Sequence, residues 1–573
     1  MAYAMSRIED EGLEFLTLTL PRFEKDFLKS LSTGVIDSNQ FAGFRRSGGL
    51  PSFLKGFLCR VFDKSGVLRS DADPGIIRAV RQILLLMSKI EIPCSSNRVN
   101  LALEQYISTD AELEDISEVD LYLFRRVSEN LLGSYLRDVE SLIWSGEWQP
   151  RYSSGALATG ESYNSRFASA LWTERLQRVL RWEDDLVSSP RELIDRVEDV
   201  QILSEEQEIP CKVITVPKTM KGPRVIAMEP VYNQFIQQGV LHAMTDVLSL
   251  RKYSRISSIF SWADQEPNRS LSRRGSVDGS FATLDLSEAS DRVHFELARA
   301  LLSPAPLLRS IAEASRSKVS RVVIDNKEHL IRLNKFSSMG SALCFPIESM
   351  VFFIIEAIAY AESSGIDPLS LRTRDLPEMR VYGDDLIVPS TVAQTLAIRL
   401  KAFGLKVNSD KSFLTGLFRE SCGKEWFRGE DVSVFRVRAP LPSQARHHQL
   451  LEKAISLHNR AFSAGWFETA GYIERYLLGN FERVPFVPYG VDVPGLWTYD
   501  DSRIKRRSHP RLQRVEYLAF NFKLKKPSDP LDGWGAMRKF YAPRLEPRDI
   551  DHLTRDGRSR YVSTNIGWRL PPL

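Results

Sequence analysis

The stretch Arg380-Val381-Tyr382-Gly383-Asp384-Asp385-Leu386-Ile387-Val388 sets two adjacent carboxylates between two short apolar runs. Gly383 and Asp384 suit a two-residue hairpin loop with glycine at the first central position, which predicts a strand on either side and both acids at the loop tip. Neighbouring carboxylates repel, so one of them keeps a proton near neutrality unless a strong cation sits between them. The pair therefore reads as a seat for a divalent metal ion. A solvated Gly-Asp turn uses the same letters, so the reading depends on a second acidic site.

That site lies upstream in Phe281-Ala282-Thr283-Leu284-Asp285-Leu286-Ser287-Glu288-Ala289-Ser290-Asp291. A short apolar strand runs into Asp285 and then a polar turn. Val293, Leu297 and Leu301 recur at helical spacing, with Ser290 or Asp291 as the predicted cap. An acid at that strand end can lie beside the Asp384-Asp385 tip in one sheet, giving three carboxylates able to hold two Mg²⁺ or Mn²⁺ ions about 4 Å apart. Such a pair supports in-line phosphoryl transfer.

Two further blocks bear on that chemistry. Phe336-Ser337-Ser338-Met339-Gly340-Ser341 is a small-residue loop ahead of an apolar run from Phe345 to Ile358. Its length and the acids Glu348 and Glu356 predict a helix buried in protein and not a membrane span, with Gly340 allowing close backbone approach to a nucleic-acid strand. Lys212-Val213-Ile214-Thr215-Val216-Pro217-Lys218-Thr219-Met220-Lys221-Gly222-Pro223-Arg224-Val225-Ile226-Ala227-Met228 predicts a hairpin carrying Lys218, Lys221 and Arg224 at its tip. Cations on one loop suit a triphosphate, arginine by paired hydrogen bonds and lysine as a point charge.

In this order and spacing the blocks resemble viral RNA-dependent RNA polymerases. Thr215-Val216-Pro217-Lys218, Asp285-Leu286-Ser287 with Ala289-Ser290-Asp291, Ser337-Ser338-Met339-Gly340, Val381-Tyr382-Gly383-Asp384-Asp385 and Phe418-Arg419-Glu420-Ser421-Cys422-Gly423-Lys424 are similar to the replicase β subunit of levivirus-type positive-strand RNA bacteriophages. The resemblance implies an α+β right-hand polymerase of fingers, palm and thumb, its palm an antiparallel sheet backed by helices, replicating a phage genome from NTPs. It implies Asp285, Asp384 and Asp385 as metal ligands. Lys218 and Arg224, with Lys212 and Lys221, fall near the triphosphate, and Ser338 and Gly340 in the nucleotide-facing loop. Lys411, in Asn408-Ser409-Asp410-Lys411-Ser412-Phe413, falls where such enzymes place a lysine that protonates leaving pyrophosphate. Many viral polymerases carry an acid five residues after the first metal ligand and an asparagine eight residues after the loop glycine. Here Ser290 and Glu348 hold those positions, with Asp291 next to the first, so Asp291 and Glu348 are the candidate readers of the 2′-hydroxyl.

The same resemblance implies RNA template and product, host elongation factors Tu and Ts and a ribosomal RNA-binding protein as partners, no membrane, and the host bacterial cytoplasm as location. Two other functions use these letters. A reverse transcriptase shares the three-acid chemistry and differs in sugar preference, and a non-catalytic RNA-binding protein on a polymerase-like fold would have no nucleotide addition to lose.

The 573 residues, 43% hydrophobic with a net charge of +4, suit a globular chain of several subdomains. Residues 1–270 read as fingers with an N-terminal helical region and the hairpin 212–228, residues 271–417 as palm and catalytic core, and residues 418–573 as thumb with a basic extension. Helices are expected over Ile76–Ile90 and Leu121–Leu142. Arg503, Lys505, Arg506, Arg507, Arg511, Arg514, Lys523, Lys525 and Lys526 crowd one C-terminal stretch with Tyr517, Phe520 and Phe522 among them, a composition that can track phosphates and stack bases. The five cysteines lack metal or disulfide spacing, and the N-terminus lacks an apolar signal core, which fits a reducing compartment.

Overall fold

The computed structural model describes residues 2–444, 446–524, 531–542 and 561–572, a mixed fold of helices and strands. The acids lie on a four-stranded antiparallel sheet whose order is Arg380–Tyr382, Asp385–Pro389, Phe281–Ser287 and Lys406–Val407. Alternation along the strands decides what each face does. Leu284, Leu286, Leu386 and Val388 point into the main core, while Phe281 and Ile387 pack on Leu271 of the helix Glu266–Asp278. Asp285 and Asp385 have the parity of the second face. A one-residue slip would turn both acids into the core, so burial of the leucines fixes the register that pairs them.

The two-residue loop Gly383-Asp384 forms as the sequence predicts, with Tyr382 opposite Asp385. Gly383 has φ +58°, and a Cβ there would come within 2.5 Å of the Phe345 ring, so both backbone and packing exclude other residues. Asp285 differs from its expected place at a strand end: the strand runs on to Ser287 and pairs with Lys406–Val407. The helix after it, Phe295–Leu301, is capped by His294, whose Nδ1 accepts from the Glu296 amide at 3.2 Å, and not by Ser290 or Asp291. Those two residues lie in a separate 3₁₀ turn, Ala289–Asp291.

Behind the sheet runs the helix Cys344–Ser363, apolar on every side. It is long and apolar enough to cross a membrane, but 89% of its most apolar window is buried within the protein. It packs on the helices Glu118–Trp144, Phe295–Leu301 and Ala393–Ala402 and on the strand Arg380–Tyr382. Replacing one of its buried isoleucines by alanine would cost about 2–5 kcal/mol.

The basic hairpin belongs to a second four-stranded sheet, ordered Gly222–Met228, Cys211–Thr219, Val319–Ile324 and Lys327–Arg332, with the two middle strands parallel. Its outer strand Lys327–Arg332 is almost wholly exposed.

A separate core joins the start of the chain to a later hairpin: Phe15, Phe23, Phe27, Ile77 and Leu84 pack with Phe413, Phe418, Phe427 and Val432. At its edge the fully buried Arg81 donates to Glu24 at 2.8 Å, to the Val432 carbonyl at 2.7 Å and to Glu425. Arg81 lies on the helix Pro74–Leu85, which Asp73 caps through the Gly75 amide and which stops short of the expected Ile90. The long helix expected near Leu121–Leu142 spans Glu118–Trp144.

The C-terminal basic stretch is organised differently from its expected role. Phe520 is buried and Phe522 packs beside it in a small core, so neither is displayed for base stacking. Arg503 pairs with Glu474, Arg506 with Asp501 and Arg507 with Glu516. Lys525 and Lys526 lie outside the described residues.

Candidate functional site

Antiparallel pairing sets Asp385 directly opposite Asp285, with Asp384 one residue away at the hairpin tip. Each strand acid is held by its own neighbours. Asp285 Oδ1 accepts from Lys411 Nζ at 3.2 Å, Oδ2 from Asn408 Nδ2 at 2.8 Å, and its backbone amide donates to Ser412 Oγ at 3.1 Å. Asp385 Oδ2 accepts from the Cys422 amide at 2.8 Å. Cys422 sits at φ +48° in the turn of a hairpin, Phe418–Ser421 with Lys424–Phe427, and that hairpin is the element Arg81 grips through Glu425. Asp384 has open surface but lies in a recess walled by protein.

The electrostatics follow from this crowding. Burial, then the Asp384 charge, pushes the Asp385 carboxyl up to about 6, against the pull of the Cys422 amide. Burial and Asp285 raise Asp384, with Lys411 and Lys218 opposing. Glu348, on the buried helix, is raised well above the carboxylate range by burial, then by Asp384 and Asp291. Glu348 therefore lies near both of those acids. Lys411 is raised: burial lowers it, and Asp285 and Glu420 outweigh that.

The residues singled out in the sequence divide by position. Lys218 reaches the acids: burial, Arg224 and Lys411 lower its pKa, while Asp384 and Asp285 work against that. Arg224 is its neighbour on the paired strand. Lys221 sits in the turn near Asp410, which the Lys25 ammonium holds at 2.6 Å. Lys212 is remote, opposite Met228 and six residues from Lys218, about 20 Å along the strand.

Of the two loop residues expected near nucleotide, Ser338 faces protein, while Gly340 packs on a neighbouring strand and keeps open surface. The Ser338 hydroxyl is buried against Tyr106 Oη at 2.8 Å. Gly340, at φ +124°, lies so close to the Ala227 carbonyl that a Cβ would run into it, and the Ala227 amide donates to Met339 O at 2.8 Å. One close approach that requires glycine is thus between the loop and the basic hairpin's own strand. Asp291 is ion-paired to Lys335 at 2.8 Å.

Among the described residues no three His, Cys, Asp or Glu side chains converge closely enough to cage an ion. The expected three-acid cluster is instead a side-by-side arrangement, Asp385 opposite Asp285 and Asp384 at the adjoining hairpin tip. Its chemistry still fits a hard divalent cation: the donors are carboxylate oxygens, and Asp384 raises Asp385 while Asp285 raises Asp384, a mutual repulsion that positive charge would relieve. Lys411 and Asn408 satisfy Asp285, so a metal ion there would displace the Lys411 contact.

Asn408, Ser412, Cys422 and Lys335 join the site although nothing in the sequence assigns them a role there. The first three sit in the Asn408–Phe413 and Phe418–Lys424 blocks, where resemblance to the replicase family offers a signal; Lys335 offers none.

An antiparallel sheet whose strands and hairpin tip carry three acids, backed by an apolar helix, defines a protein that brings carboxylates and the cations of a basic hairpin together. Residues 128–456, more than half of the chain, match the RNA replicase, beta-chain family, and the chain belongs to it. It is 36% identical over 230 residues to the RNA-directed RNA polymerase beta chain of Escherichia phage MS2, covering 40% of this chain and 38% of that one. It is 32% identical over 336 residues to the RNA-directed RNA polymerase subunit beta of Escherichia virus Qbeta, covering 58% and 51% respectively. The matched stretches thus span from 38% to 51% of these relatives' own lengths. A solved RNA-dependent RNA polymerase of BmCPV in its elongation state aligns with a TM-score of 0.34 at 10% identity, over 59% of this chain and 31% of that one.

Proposed function

We propose that this chain is an RNA-directed RNA polymerase that adds ribonucleotides to an RNA 3′-hydroxyl on an RNA template. The pairing of Asp285 with Asp385 beside Asp384, faced by Lys218 and Arg224, carries this reading. Membership of the replicase β-chain family and the names of its relatives support it. Asp285, Asp384 and Asp385 would hold Mg²⁺ or Mn²⁺. Bound there, such ions lower the pKa of the attacking hydroxyl and offset charge on the triphosphate.

The chain's own groups supply the rest. Lys218 and Arg224 draw the triphosphate against the acids. Lys411, a proton-bearing ammonium beside Asp285, is the donor for the departing pyrophosphate oxygen. Asn408 and the Cys422 amide keep Asp285 and Asp385 from rotating away.

In hand terms, the Asp285 sheet is the palm (about residues 271–417), the segment to about residue 270 with the basic hairpin is the fingers, and residues from about 418 are the thumb. Host elongation factors Tu and Ts, a ribosomal RNA-binding protein and a bacterial cytoplasmic setting belong to the same proposal.

The test is incorporation of labelled ribonucleotides on a primed RNA with Mg²⁺, by the purified chain and by its Asp384→Asn variant. Incorporation that the variant loses while still binding RNA is expected. Equal signal from both proteins would sink the proposal.

A further inference from the structure

Lys335 has no exposed side-chain surface, yet it is a cation, and everything around it is arranged to hold it. Its amide and that of Asn334 both donate to Asp110, each at 3.0 Å. Its carbonyl accepts from Arg316 at 2.8 Å. The segment is also stitched to the chain just after Asp291: Phe295 N donates to Asn334 O at 2.9 Å and Phe336 N to Val293 O at 2.9 Å. The ammonium lies 3.6 Å from the Tyr106 ring centroid and reaches Asp291 Oδ1 at 2.8 Å.

Burying a lysine this completely is costly unless its charge is matched. The match here is Asp291, whose side chain keeps 21% of its surface open. Asp291 is close enough to Glu348 to disturb it, as Asp384 is. A fixed cation thus grips Oδ1 of a partly exposed acid, and Oδ2 is the oxygen outside that grip.

We propose that Lys335 is a positioning residue for sugar selection: it locks Asp291 in the orientation that accepts a hydrogen bond from the 2′-hydroxyl of the incoming nucleotide. The proposal rests on the polymerase reading above. A carboxylate pinned by a rigid post rejects a sugar lacking the hydroxyl, because the acceptor cannot turn to another partner. A mobile carboxylate would discriminate less.

The test compares kcat/KM for a ribonucleotide with that for the matching deoxynucleotide, on one template and with one preparation of each full-length variant, so that partial misfolding cancels. Lys335→Met is expected to lower the ribose preference about tenfold, mainly through KM for the ribonucleotide. Asp291→Ala should lower it as much, the double variant no further, and Lys335→Arg should keep most of it. Should the Met variant not fold, Lys335→Gln carries the same expectation, since it keeps a donor without the charge.

A ratio unchanged by Lys335→Met or Lys335→Gln, with Asp291→Ala effective, overturns the proposal and makes Lys335 a purely structural post. A ratio unmoved at either site overturns it together with Asp291 as the sugar reader. In both cases ribonucleotide addition by the parent chain, abolished by Asp384→Asn, leaves the polymerase reading standing; absence of that addition is the separate failure of the reading itself.

Discussion

The acid sheet and the basic sheet are built on opposite terms. Phe281–Ser287 is buried along nearly its whole length, and the strand acids are fixed by register, by Asn408 and by a hairpin amide. In the basic sheet the outer strand is open to solvent and the cations Lys212, Lys221 and Arg224 stand exposed, while Lys218 has open surface but is crowded by its neighbours. Leucine packing sets the acids to within one strand position. The cations sit on long side chains that can adjust. Geometry is therefore expected from the first sheet and affinity from the second.

The largest effect should come from Asp285→Asn. It removes the charge of a proposed metal-binding carboxylate and the charged partner of Lys411, so single-turnover incorporation should fall at least about a thousandfold, with RNA binding in a filter assay nearly unchanged. A loss no greater than that of a basic-sheet variant would break the contrast.

Lys218→Met should come next, about tenfold or somewhat more in kcat/KM and chiefly through KM for the nucleotide, because a charge-assisted contact to phosphate is lost while the acids stay in place. A drop in kcat alone would mean that the hairpin also shapes the acid arrangement.

Stability should register the crowding of the acids. Asp385 keeps its proton up to about pH 6, above the ordinary carboxylate value, so its folded-state contribution is present at low pH and is lost as pH rises through 6. In metal-free protein, Asp385→Asn should raise Tm by about 2–4 °C at pH 7.5 and leave it nearly unchanged at pH 4. A lower Tm at pH 7.5 would contradict the burial of that charge.

Lys212→Ala should change incorporation by no more than about twofold, since its position along the strand keeps it away from the acids. A large loss would extend the phosphate-binding surface along the whole hairpin.

Much of the acid arrangement is legible in the sequence because strands and tight turns write short-period patterns: Gly383-Asp384 marks a loop, and alternating apolar residues decide which way Asp285 faces. Lys411 and Cys422 fall in blocks that stand out only through their resemblance to the replicase family. Lys335 is not legible, since its meaning comes from Asp110, Arg316 and Tyr106, none of them adjacent in the chain. Long-range packing also explains why position 340 must be glycine, since its neighbour is the Ala227 carbonyl. It accounts equally for Phe520 and Phe522, aromatic residues among cations that pack in a core with Leu451 and Leu477.

The hydrophobic seam between the first 85 residues and the Phe418–Phe427 hairpin bears on how this protein can be dissected. A fragment trimmed to the family match at residues 128–456 would bare Phe418 and Phe427 to water and take the buried Arg81 away from Glu425, leaving it only the longer Arg436 contact at 3.5 Å. Likeness to relatives and autonomy of folding thus draw different borders on this chain, and a hybrid made by grafting that stretch into another replicase would have to carry the opening helices along with it.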